Sequence, residues 1–128
     1  VNRKSLLVPA LIMPVTIHAQ SMLGNEKCQA LVQEGMNLLR QNKFNEALAK
    51  FQEAEKVDPY ASSPLSGRAL ALYSASQVTF PENVQKYRQD AEGQARAALE
   101  RNSTDLVAQE VLRLLTDGPD KERHIPNE

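Results

Sequence analysis

From Glu26 to Arg40 the apolar residues Cys28, Leu31, Val32, Met36, Leu38 and Leu39 recur at helical steps and mark one wide apolar stripe. The polar triplet Gln41-Asn42-Lys43 breaks the pattern. A second one opens at Phe44 and runs through Ala47, Leu48, Phe51, Ala54 and Val57 until Asp58-Pro59 closes it. A connection of about three residues makes the two helices antiparallel neighbours. Gly35, Ala47 and Ala54 are small residues on the facing stripes, where they let the axes approach, while Leu31, Phe44 and Phe51 fill the space between.

Three more helices follow from the same reasoning. Ser62 or Ser63 is a candidate N-cap, and Pro64 fits a first turn, where its missing N–H costs nothing. Leu65, Ala69, Leu70, Leu72 and Tyr73 form the stripe of this third helix. Ser74 to Thr79 reads as a loop, and Phe80-Pro81 opens a fourth helix carrying Val84, Tyr87, Ala91, Ala95, Ala98 and Leu99 on one face. A fifth begins after Ser103-Thr104-Asp105, with Ser103 or Thr104 as the expected cap. Ala108, Val111, Leu112, Leu114 and Leu115 make it amphipathic, and Asp117-Gly118-Pro119 ends it. No stretch alternates apolar and polar residues as strands do, so the expected class is all-α. The expected core contains Leu31, Phe44, Ala47, Phe51, Leu65, Leu72, Ala91, Ala98 and Leu112. The segment 117–128 is too polar to bury anything and is expected to be disordered.

The run from Cys28 to Pro59 resembles a tetratricopeptide repeat, a helix–turn–helix unit of about 34 residues. Gly35, Phe44, Ala47, Phe51, Ala54 and Pro59 carry the resemblance. A second, altered copy spans about 62–105. It includes Ala69, Leu72 and the ending Ala97-Ala98-Leu99-Glu100-Arg101-Asn102-Ser103, where Ser103 stands in place of the family's proline. At 44 residues this copy is about ten longer than the family norm, which most simply lengthens the fourth helix at its N-terminus. The resemblance implies a right-handed helical array over 20–116, with repeat one at about 28–61 and the helix at about 105–116 as a terminal cap.

It also implies a protein-binding scaffold whose first helices line a concave groove. Carried over by position, that lining is Val32, Met36, Leu39 and Arg40, then Leu70, Tyr73 and Ser74, then Glu110 and Leu114. Leu70 is equally well read as packing against the neighbouring helix, and Tyr73 as either a groove hot spot or a core residue. Val32 and Met36 occupy positions where a clamp for a C-terminal carboxylate would need polar or basic groups, so no such clamp is expected. The expected partner is a peptide or helix of another protein. A homodimer, or docking onto a catalytic subunit of an envelope complex, is the alternative.

Charge and candidate chemistry change this picture little. Residues 1–19 look like a signal peptide: Arg3 and Lys4 precede an apolar segment from Ser5 to Ile17, with Ala19 before a plausible cleavage point. That segment is shorter than the roughly 20 residues of a membrane-spanning helix, and it points to a periplasmic or secreted bacterial protein. An uncleaved membrane tether or a buried N-terminal segment is the alternative. Without Arg3 and Lys4, 13 basic residues face 16 acidic ones, a balance that argues against nucleic acid. Cys28 reads as a small apolar core residue or as the donor of an intermolecular disulfide. His18 and His124 have no partner at metal-ligand or catalytic spacing. Glu53, Glu55 and Asp58 read as a solvated helix face, and no Gly-rich phosphate loop follows a strand. Neither a cofactor nor enzymatic activity is expected.

Overall fold

A computed structural model describes residues 25–117. Both the expected signal segment and the tail beyond Asp117 lie outside the described residues, as do His18 and His124. The described chain is all-α: α1 (Glu26–Arg40), α2 (Phe44–Val57), α3 (Ser63–Ser76), α4 (Pro81–Arg101) and α5 (Leu106–Asp117).

Local chemistry sets most of these boundaries. Asn25 caps α1, its Oδ1 accepting from the Cys28 N–H at 2.8 Å. At the other end Asn42 takes a left-handed φ of 62°. There the Lys43 N–H donates to the Leu38 carbonyl and the Asn42 N–H to that of Leu39, so the last carbonyls of α1 are satisfied as the chain reverses. The Asp58 carboxylate organises the turn after α2, accepting from the Tyr60 N–H at 3.2 Å and from the Asn25 N–H at 3.1 Å. It thereby ties the end of α2 to the start of α1.

Two boundaries differ from the sequence reading. Helix α3 continues through Ser74, Ala75 and Ser76, leaving 77–80 as the connection. Ala75 and Ser76 are buried, and the Ser76 hydroxyl donates to the Tyr73 carbonyl within the helix, so it needs no water. The cap of α5 is Asp105, whose Oδ1 accepts from the Ala108 N–H at 3.0 Å. Thr104 instead donates its N–H and hydroxyl to Asn102 Oδ1.

Helices α1/α2 and α3/α4 form antiparallel hairpins, α2 packs on α3, and α5 packs on both α3 and α4. In addition α1 touches α3, and α3 touches α5. Helix α3 is therefore central and buried nearly all round, which is why its sequence carries only a weak stripe. At the first junction the ring of Phe51, fully buried, lies in a slot between Gly35 of α1 and Gly67 of α3. A Cβ on Gly35 would stand 2.6 Å from that ring, and one on Gly67 2.5 Å. The second junction is an alanine seam instead: Ala69, Ala91, Ala95, Ala98 and Ala108, with Leu65, Leu72, Tyr73 and Val111. Of the expected core, Leu31, Phe44 and Leu112 are half-buried at its edges and the others are buried.

Candidate functional site

The residues expected to line a groove fall into three groups. Val32, Met36 and Leu70 are half-buried and pack together against the cluster of Leu39, Ala47, Phe51 and Ala71, while Leu114 is half-buried against the alanine seam. Ser74 is also half-buried. These side chains retain some surface along α1, α3 and α5. Arg40 and Glu110 are exposed. Arg40 donates to Asn37 Oδ1 one turn back. Glu110 accepts from Arg113 Nε at 3.0 Å, and that hydrogen bond, with the guanidinium charge, holds its carboxyl below the usual range.

Leu39 and Tyr73 differ from the groove expectation. They are 9% and 8% exposed and belong to the two cores. Tyr73 sits on the central helix, buried within the alanine seam, so its first role is packing.

Glu55 and Asp58 are not simply solvated. Glu55 of α2 accepts from Arg68 of α3 at 2.9 Å and from Arg101 of α4 at 3.2 Å. Arg68 also donates to Gln94, and Arg101 to the Ala61 carbonyl. The network spans α2, α3, α4 and the turn between the hairpins. It joins elements up to 46 residues apart in the chain, which is why helical periodicity alone does not reveal it. A groove of about 590 Å³ runs beside it between α2 and α4, walled by Gln52, Gln89 and Gly93. Arg88 of α4 holds the far end of α5, donating to the Leu115 carbonyl at 2.8 Å.

Cys28 is fully buried and unpaired, packed with Ala54 and Ala61. Burial, assisted by the nearby Asp58 charge, pushes its thiol up to about 11, so it is neutral at physiological pH. A buried neutral thiol is a poor candidate for an intermolecular disulfide. Among the described residues no group of three or more His, Cys, Asp or Glu side chains is placed to hold a metal ion. No described helix is long and apolar enough to cross a membrane.

A cleft of mixed polar and apolar walls lies where the α1–α2 and α3–α4 connections meet. It has a volume of about 460 Å³ and is lined by Lys43, Phe44, Glu46, Ala75, Val78, Thr79, Phe80 and Tyr87, with Asn42 and Asn45 at its edge. Val78 and Phe80 are 70% and 72% exposed, unusual for side chains of their size. Sequence reasoning missed this surface. The available signal was the pair Val78 and Phe80, two large apolar residues inside a segment otherwise read as connection. The chain matches no family model, curated protein or solved structure.

Proposed function

We infer that this chain is a non-catalytic scaffold for protein–protein interaction, acting in the bacterial envelope as a periplasmic or secreted protein. In this reading it is a tetratricopeptide-like right-handed array: α1/α2 and α3/α4 are the two repeats and α5 is the cap. The observation that supports it most is the contact order of the helices. Alongside the sequential pairs, α1 packs on α3 and α3 on α5. Such an order sets the first helix of each repeat side by side as one continuous face. That face carries the half-buried Val32, Met36, Leu70 and Leu114 together with exposed Arg40 and Glu110, a mixture of apolar and charged groups suited to a peptide or helix of a partner protein. Met36 adapts its shape to different side chains, and Arg40 reaches an acidic group on the partner. Tyr73 and Leu39 support the face from beneath.

The test is selection of a displayed random 12-residue peptide library on the full chain, followed by titration of the selected peptides against variants. Met36→Ala and Arg40→Ala should each weaken binding by tenfold or more, Arg40→Ala at an unchanged melting temperature and Met36→Ala with the protein still fully folded at the assay temperature. Peptides that bind both variants as tightly as the parent would remove this face as the binding surface.

A further inference from the structure

The cleft at the loop end lies outside the face just described, and its composition has a property that face lacks. A projecting group, a hollow and two opposite charges occur side by side. Phe80 and Val78 stand out at its rim, 72% and 70% exposed. The hollow of about 460 Å³ beside them is floored by Phe44, Ala75 and Tyr87. Lys43 and Glu46, one helical turn apart at the start of α2, both line it. Neither forms an ion pair with another described residue.

We propose that this patch is the interface of a two-fold symmetric homodimer, in which Phe80 of each copy enters the cleft of the other. A two-fold axis applies one patch to itself, so each feature must meet its complement on that same patch. The projecting aromatic and the hollow meet that requirement. So does the charge pair, because the rotation sets Lys43 of one copy opposite Glu46 of the other and the reverse. A partner of uniform charge would gain at one of these positions and lose at the other, whereas a second copy gains at both. The formal charge of −1 for the whole chain adds little repulsion between copies. Burial of Phe80 and Val78 supplies the apolar driving force, with Tyr87 presenting an aromatic wall to the entering ring. The other large exposed apolar residues, Tyr60 and Leu106, lie at the opposite ends of the helices and take no part.

The cleft and its rim form a small centre compared with the roughly 800 Å² per partner of a standard interface, so the dimer should be weak, with Kd in the micromolar range. Sedimentation velocity on the full chain, from about 1 μM to 1 mM, should show a reversible monomer–dimer equilibrium. Phe80→Asp should weaken it by tenfold or more while the melting temperature stays within about 2 °C, since the side chain is already exposed. Lys43→Glu and Glu46→Lys should each weaken it several-fold, and the double variant Lys43→Glu, Glu46→Lys should recover most of the parent affinity. A monomer at every concentration overturns the proposal. A dimer indifferent to Phe80→Asp overturns it equally, since association then uses another surface. Loss on both single charge variants without recovery in the double overturns the two-fold pairing of Lys43 with Glu46. None of these outcomes depends on peptide binding by the α1/α3/α5 face.

Discussion

The two hairpins bring their helices together in different ways. In the first junction one large ring, Phe51, occupies a slot that two glycines on different helices leave open. In the second, α3, α4 and α5 meet along alanines, with no fully buried aromatic ring. Both allow close approach of helix axes, but they distribute energy differently. The slot concentrates stabilisation in a single side chain whose neighbours are shaped for it. The seam spreads it over many contacts, each individually modest.

The largest test of that difference is Phe51→Ala. Removing a fully buried ring should cost about 3–5 kcal/mol, a large part of what a domain of this size has available. A urea melt that overlays the parent would show that the slot carries no special load. Next is the pH dependence of the first hairpin, which buries a titratable thiol. The folded pKa of Cys28, about 11, lies above its unfolded value of 9.0. Stability from the neutral thiol is therefore complete below about pH 9 and is lost as pH rises through 11. Relative to Cys28→Ala, the parent should lose on the order of 2 kcal/mol between pH 8 and 11. Parallel curves for parent and variant would show that the thiol ionises freely in the folded protein.

Gly35→Ala sharpens the comparison further. Helix propensity favours alanine by up to about 1 kcal/mol, but crowding against a ring that cannot move away costs about 1–3 kcal/mol, so net destabilisation is expected. In a Phe51→Leu background the crowding should be relieved and the sign of Gly35→Ala should reverse, a coupling that a double-mutant cycle measures directly. Additive effects would show that the two residues do not share one space. In the seam, Ala95→Gly should cost only about 1 kcal/mol, mostly helix propensity, because neighbouring alanines carry the rest. A loss above 3 kcal/mol would make the seam as concentrated as the slot. The smallest effect belongs to Gly93, whose missing side chain meets no neighbour within 4 Å. Gly93→Ala should raise stability by about 0.5–1 kcal/mol in a thermal melt, and a destabilised variant would mean that the groove beside it is occupied.

Much of this was legible in the sequence. Helical period and the polar triplet 41–43 placed α1 and α2 correctly, and Phe80-Pro81 marked the start of α4. Phe51 and Ala47 were correctly read as core, and Gly35 as a close-approach position. What failed did so for identifiable reasons. Ser74 to Ser76 look like loop by polarity, yet small hydroxyls that bond back to their own helix can be buried as easily as alanine. At the start of α5 three adjacent capping residues competed, and only the backbone path chose Asp105. Glu55 reads as a solvated acid until two arginines from other helices arrive beside it.

By itself, then, the sequence determined that the described region is all-α, how many helices it has, and roughly where each begins and ends. Those properties follow from interactions within a few residues: period, caps and turn chemistry. Only the tertiary structure decided which stripe residues keep a surface. It buried Leu39 and Tyr73, left Met36 and Val32 half-covered, exposed Phe80 beside a cleft, and set Gly67 against the same ring as Gly35. Exposure depends on what packs from distant parts of the chain, and residues on one helical stripe share a face without sharing the same neighbours.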